Sequence, residues 1–246
     1  MTTIEAVGVV IPARDEEASL PAALASVAAA SQDIGCSVTT VVVCDSCRDR
    51  SAEVASAAGA LVVETRVGCP GGARRVGVDV AALHLRHVSS SALWIASTDA
   101  DCVVRVDWLR THRSAAEAGW DGYIGEVAVP DWSEWPGALP DLYEHHYRRA
   151  GRPPPVHGAN LGVRLDAYMG VGGFRPVAHG EDQLLIDCLI AAGYSVLASR
   201  DEPVQTSARR VARAGHGFSA HLRSLERQIL APQHASPDPP VTPLLS

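Results

Sequence analysis

The sequence predicts an α/β fold: a mixed, mostly parallel sheet flanked by helices within a single domain. Three observations carry that expectation. Short β-branched runs alternate with alanine-rich amphipathic stretches through the first half of the chain, the signature of βαβ units. Hydrophobic residues fill 47% of the 246 positions, ample for a packed core and outside the composition of disordered chains. Acidic clusters follow three of the apolar runs, and open α/β sheets bind ligands beyond the carboxyl ends of their strands.

Residues 7–11 read as the first strand. Asp15, Glu16 and Glu17 then place negative charge at a helix start, and Leu20, Leu24 and Val27 recur at helical spacing through Ala30. Residues 39–43 form a second strand, Ser51 is suited to cap a helix carrying Val54, and residues 61–63 form a third strand. A helix over 72–85 and a strand over 93–96 complete the regular half. A helix then runs from Asp107 towards Gly119, followed by a strand over 123–129. Beyond it the pattern loosens, with a Trp- and Pro-rich stretch over 130–140, a helix over 142–150 and a Pro-rich loop over 151–155. A strand over 156–163, a helix over 184–192, a strand over 195–198 and a helix over 218–230 follow. Residues 231–246 have the Pro- and Ser-rich composition of a mobile tail, which leaves 1–230 as the domain.

All 21 basic residues are arginine, against 28 acidic ones, for a net charge of -7. A chain without lysine has no Schiff-base nucleophile, no lysine-bearing phosphate loop and no lysine general base. Its acidity argues against nucleic acid as a partner, which calls for a concentrated positive face. The apolar runs are strand-sized, short of the roughly 20 residues that span a bilayer, so no transmembrane helix is expected. The opening Met1-Thr2-Thr3-Ile4-Glu5 lacks the pattern of a signal peptide, and the expected location is the cytoplasm. Six cysteines without disulfide-framework spacing are expected to be reduced. Cys44 and Cys47 have CxxC spacing, but no second pair or nearby His pair completes a tetrahedral metal site.

The polar residues at strand ends are the ones to weigh. The first strand runs into Pro12-Ala13-Arg14-Asp15-Glu16-Glu17, the second into Cys44-Asp45-Ser46-Cys47-Arg48-Asp49, and the fourth into Ser97-Thr98-Asp99-Ala100-Asp101. Any one cluster could be turn and cap residues. Three at one edge suggest a site. Asp99 and Asp101, separated by one small residue after an apolar strand, can share a hard cation such as Mg²⁺ or Mn²⁺ and the phosphates it neutralises.

Six segments in order resemble glycosyltransferases of family 2, which have the GT-A fold. Val10-Ile11-Pro12-Ala13-Arg14-Asp15-Glu16-Glu17 is similar to the family's V-I-P-x-x-N-E-E, with Asp15 where Asn is common. The stretch from Val43 to Ser51 resembles V-D-D-x-S-x-D-x-S/T, with Cys44 in place of the first Asp. Gly72-Ala73-Arg74-Arg75-Val76-Gly77 resembles G-A-R-N-x-G, with Arg75 replacing Asn. The DxD, the run from His157 to Arg164 followed by Gly172-Gly173-Phe174, and Gly180-Glu181-Asp182 complete the match.

The resemblance implies metal-dependent transfer of a sugar from a UDP- or GDP-linked donor to a hydroxyl acceptor, either a small molecule or a lipid met by peripheral membrane contact. Residues 1–105 would be the nucleotide-sugar half and 106–230 the acceptor-binding and catalytic half. Pro12, Ala13, Arg14 and Glu16 would surround base and ribose, Asp45 would accept a hydrogen bond from the base, Arg74 would lie near base or phosphate, and Asp99 and Ala100 near the ribose. Asp101, with Asp99, would hold Mg²⁺ or Mn²⁺, and His216 would be an added ligand. Asp182 takes the family position of the base that deprotonates the acceptor in inverting enzymes, with Glu181 orienting the acceptor. His157, Gly158, Ala159, Asn160 and Trp132 would contact the acceptor.

Plainer readings stand beside these. Glu181 and Asp182 suit any helix start, His157 any strand end, His216 a solvated loop, and Trp132 and Trp135 the packing of a lid. Nucleotidyl transfer would need a Gly-rich loop and a lysine that the first loop lacks. A non-catalytic sugar-nucleotide module is disfavoured because Asp101 and Asp182 are both present. Retaining GT-A enzymes share the core, and the shorter chain here favours inversion.

Overall fold

Strand β1 (Ala6–Ala13) is buried at every residue except Pro12. Val7, Val9, Ile11 and Ala13 pack into one apolar layer and Ala6 and Val10 into another, as the two-residue pleat requires of a strand covered on both faces. The computed structural model describes residues 2–147, 153–210 and 218–230. From β1 the chain continues through α1 (Leu20–Ala30), β2 (Ser37–Asp45), α2 (Ser51–Ala57), β3 (Leu61–Thr65), α3 (Pro70–His84) and β4 (Leu93–Ser97). Then come β5 (Cys102–Val103), α4 (Trp108–Glu117), β6 (Gly122–Ala128), α5 (Leu139–Tyr147) and β7 (Leu161–Arg164). The described chain finishes with α6 (Leu165–Gly170), α7 (Glu181–Ala191), β8 (Val196–Thr206) and α8 (Phe218–Leu230).

The strands form one sheet in the order β3-β2-β1-β4-β7-β6-β8-β5. The first four are parallel, β7 is antiparallel to both its neighbours, β6 and β8 are parallel, and β5 pairs antiparallel with β8. The expected mixed sheet is therefore the observed one. One layer holds α1, α2 and α4, and the opposite layer holds α3, α6 and α7. Gly77 allows α3 to lie directly on β1, since a Cβ there would collide with the Val10 side chain. A third, smaller cluster joins Trp135, Leu139, Tyr143 and Tyr147 to Ala208, Leu222 and Leu225. β1 and β4 are neighbouring parallel strands, and the loops that follow them border a crevice at the carboxyl edge of the sheet.

Several expectations need correction. Asp15, Glu16 and Glu17 precede α1, whose first turn carries no acidic residue. Ser51 lies inside α2 and does not cap it, because its hydroxyl is engaged by neighbouring loops. The strand expected over 156–163 contracts to β7, because Gly158–Asn160 form a 3₁₀ turn. Helix α6 was not anticipated, and α3 and α7 begin two and three residues early, α3 with Pro70 at a position where its missing N–H costs nothing. The helix expected over 142–150 is α5 and starts at Leu139. Its expected last residues, loop residues 151 and 152, His216 and the 231–246 tail lie outside the described residues.

Candidate active site

The crevice is a cleft of about 840 Å³. Pro12 and Ala13 enter it from the end of β1, Arg14 and Glu16 from the loop that follows, Asp45 from the end of β2, Ala73 and Arg74 from α3, and Asp99, Ala100 and Asp101 from the β4 loop. His157, Gly158 and Ala159 face it from the turn before β7, and Glu181 and Asp182 from the first turn of α7. The expected donor, metal and base residues, spread from position 12 to position 182 of the chain, thus line one cavity.

The strand-end carboxylates divide into two sets. Asp15, Glu17 and Asp49 staple the β1 and β2 loops together: Asp15 Oδ1 accepts from the Arg48 N–H at 2.6 Å, Asp49 Oδ2 from the Glu17 N–H at 2.9 Å, and Glu17 Oε2 from the Arg50 N–H at 2.9 Å. Asp49 also accepts from the Ser51 N–H and hydroxyl, and the Ser51 hydroxyl accepts from the Glu16 N–H at 2.8 Å. Asp15 has φ 53° and Ser46 φ 60°, left-handed conformations that Asp and Asn tolerate better than most residues. Cys47 joins the same seam, its Sγ 3.4 Å from both the Asp15 N–H and the Ala13 carbonyl. Burial and the adjacent Cys47 push the Cys44 thiol up to about 12, which makes Cys44 a poor nucleophile.

The second set faces the cleft. Arg74, wholly buried, donates to Ser97 Oγ at 3.1 Å, to Asp99 Oδ1 at 2.5 Å and to Glu181. Burial drives the Glu181 carboxyl up despite the pull of that guanidinium, with Asp182 adding to the rise. Asp182 Oδ2 accepts from the Gly158 N–H at 2.9 Å and Oδ1 from the Gln183 N–H at 2.8 Å, which fixes the carboxylate at the start of α7. Gly158 has no room for a side chain, because a Cβ would strike the Arg74 guanidinium. Asp45 Oδ1 accepts from the Gly68 N–H at 3.1 Å.

Asp99, Asp101 and Cys102 bring ligand atoms within 4.8 Å of one another. Burial raises the Cys102 thiol well above its ordinary value, so the donors that remain are the two carboxylates, both of which line the cleft. That donor set fits a hard divalent ion such as Mg²⁺ or Mn²⁺ and suits softer metals poorly. Without a metal, burial pushes Asp101 up to about 6; Arg209 opposes the rise, while Asp99 and Glu16 reinforce it.

Two residues expected at the acceptor are placed elsewhere. Asn160 is fully buried: its Oδ1 accepts from Trp108 Nε1 at 3.0 Å and its Nδ2 donates to the Glu126 carbonyl at 2.9 Å. Trp132 packs on Tyr143, ring centroids 5.2 Å apart, in the third cluster. Trp135 is buried there too, donating to the Ala208 carbonyl beneath the Arg210 guanidinium. Sequence reasoning missed His146, Tyr147, His179 and Arg209, which all line the cleft. Tyr147 stacks on His157 with centroids 5.3 Å apart.

A parallel sheet crossed by an antiparallel β7, with an acidic pair after β4 and a carboxylate on α7, defines a GT-A glycosyltransferase architecture. The family model for Glycosyl transferase family 2 matches residues 8–169, more than half of the chain, and the protein belongs to that family of glycosyltransferases. Among solved structures it is similar to S. aureus TarS in complex with UDP-GlcNAc (TM-score 0.63, 16% identity, 94% of this chain and 67% of that one). It is also similar to the mannosyltransferase PcManGT of Pyrobaculum calidifontis in complex with GDP-Man and Mn²⁺ (0.61, 18%, 90% and 61%). A third is the glucosyl-3-phosphoglycerate synthase of Mycobacterium tuberculosis with Mn²⁺, UDP and glucosyl-3-phosphoglycerate (0.57, 18%, 92% and 77%). No curated protein matches the sequence.

Proposed function

We propose that the protein is an inverting, metal-dependent glycosyltransferase that moves a sugar from a UDP- or GDP-linked donor to a hydroxyl of a small-molecule or lipid-linked acceptor. The observation that carries this reading is the single cleft shared by Glu16, Asp45, Asp99, Asp101 and Asp182. Similar structures bound to UDP-GlcNAc and to GDP-Man with Mn²⁺ support the donor class. Residues 1–105 supply the donor side, with Pro12, Ala13, Arg14 and Glu16 around base and ribose, Asp45 at the base, and Ala100 beside the sugar. Residues 106–230 supply the acceptor side. Asp101 and Asp99 hold Mg²⁺ or Mn²⁺, which when bound stabilises the charge on the departing diphosphate as a Lewis acid. Asp182, oriented by the Gly158 N–H, takes the proton of the acceptor hydroxyl, and Glu181 and His157 orient that acceptor.

The test is nucleoside diphosphate release from UDP- and GDP-sugars over a panel of hydroxyl acceptors. Asp182→Asn is expected to lower kcat by about 10² to 10⁴ with nucleotide affinity unchanged, the size of a general-base contribution. Equal turnover by wild type and variant contradicts the assignment. The anomeric configuration of the product, read by NMR, is expected to be inverted, and retention overturns the stereochemical part of the reading.

A further inference from the structure

Among the described residues the cleft is lined by three arginines, Arg14, Arg74 and Arg209. Arg14 is exposed, and Arg74 is locked among Ser97, Asp99 and Glu181. Arg209 is bonded to the two carboxylates assigned to donor and metal. Its Nη1 and Nη2 donate to Glu16 at 2.9 and 2.6 Å, and Nη2 lies 3.2 Å from Asp101 Oδ2. A divalent cation on Asp101 would stand beside a guanidinium already in contact with the same carboxylate, and like charges at that distance repel strongly in a partly buried site.

The segment carrying Arg209 follows β8 and is anchored on either side. Ala208 accepts from Trp135, and Arg210 lies 4.7 Å over the Trp135 ring and pairs with Glu226 at 2.5 Å. An exchange of partners by Arg209 is therefore a side-chain movement, and arginine carries its charge throughout. Glu16 is buried, and besides Arg209 its carboxylate accepts from the Ser19 hydroxyl; ribose hydroxyls would replace the donors that Arg209 withdraws when a nucleotide enters.

We propose that Arg209 is an internal counter-ion with two stations: on Glu16 and Asp101 in the empty protein, and on the donor diphosphate once metal occupies Asp101. The proposal rests on the reading of this cleft as a nucleotide-sugar site. In the empty state Arg209 withholds the carboxylates from free metal, and in the loaded state it shares the neutralisation of the leaving group. Metal and nucleotide therefore bind together better than either does alone.

The test measures Mn²⁺ binding by the loss of its free EPR signal, and then UDP and GDP binding at saturating Mn²⁺, for the full chain, Arg209→Gln and Arg209→Lys. Arg209→Gln is expected to bind Mn²⁺ alone about tenfold more tightly and its nucleoside diphosphate about tenfold more weakly, opposite signs that a merely structural ion pair would not produce. Arg209→Lys, which keeps the charge but loses the two-pronged bond, is expected to shift both affinities in the same directions by less, and carries the test if Arg209→Gln melts. Unchanged or weaker Mn²⁺ binding, or unchanged nucleotide binding, in a wild-type background that binds one of the two nucleotides overturns this proposal alone. A wild type that binds neither UDP nor GDP with Mn²⁺ overturns the donor reading and this proposal with it.

Discussion

His112 shows how a single buried side chain both organises the core and limits stability. Its Nδ1 accepts from Trp94 Nε1 at 3.1 Å, so the proton sits on Nε2, 3.4 Å from the Asn160 Oδ1 that also receives Trp108 Nε1. Complete burial lowers its pKa to about 4, with the Asn160 contact opposing the fall. In the unfolded chain the ring takes up its proton near pH 6.5, while the folded protein keeps it neutral down to about 4. Stability is therefore lost as pH falls through that window, by about 3 kcal/mol in total. Asp101 acts in the opposite sense, because its raised folded pKa makes the metal-free protein gain stability as pH falls below about 6. The difference between wild type and His112→Gln isolates the histidine: urea unfolding at pH 7.5 and pH 4.5 should show a steeper loss in wild type, and parallel losses would remove His112 as the cause. Asn160 illustrates the limit of reading roles from sequence, since its place beside Gly158 and Ala159 suggested an acceptor contact and only the fold turns it inward to Trp108 and His112.

At the scale of elements, the parallel half was legible because β1 and β2 are β-branched apolar runs suited to a strand covered on both faces, and α1 and α3 place apolar or small residues at helical spacing on their buried sides. The remainder was less so. The outer part of β8 runs through Ser199-Arg200-Asp201-Glu202-Pro203, a stretch with no strand propensity, and it is there that the register against β6 shifts, between the pairs Gly125–Ser199 and Val127–Val204. The acidic clusters were visible as clusters, but the separation of Asp15, Glu17 and Asp49 into loop staples from Glu16, Asp45, Asp99 and Asp101 in the cleft depends on backbone direction alone. Arg209 lies 193 residues from Glu16 and carries no local signal; only the absence of lysine hinted that an arginine must supply the cleft's charge. The 3₁₀ turn before β7 yields an element-scale prediction, since it brings the Gly158 backbone against Arg74. Gly158→Ala should cost about 1–3 kcal/mol, as overpacking does, and also weaken nucleotide binding by dislodging Arg74. Gly77→Ala, which collides with Val10 in the core, should cost a similar amount of stability and leave the affinity of the folded fraction unchanged. Thermal melts paired with nucleotide titrations separate the two, and a Gly158→Ala protein of normal affinity would show that Arg74 is not held from that side.

For the whole molecule, one twisted sheet does two jobs. Its parallel half ends in the acidic loops of one wall of the cleft, the wall proposed to face donor and metal, and the elements beyond β4 bring Gly158 and Asp182 to the same cleft. Among the described residues no helix is long and apolar enough to cross a membrane. The proposed function requires Asp101 to couple a divalent metal to a nucleoside diphosphate in this cleft. It is tested most directly by the thermal stability of wild type and Asp101→Ala against UDP, GDP, TDP and ADP, each with and without Mn²⁺. A ligand at a hundredfold excess over its Kd stabilises the folded state by about 2.7 kcal/mol, a shift of several degrees for a chain of this size. Such a shift is expected for one diphosphate, dependent on Mn²⁺ and absent in Asp101→Ala; no shift with any of the four, or one that survives the substitution, overturns the role of Asp101.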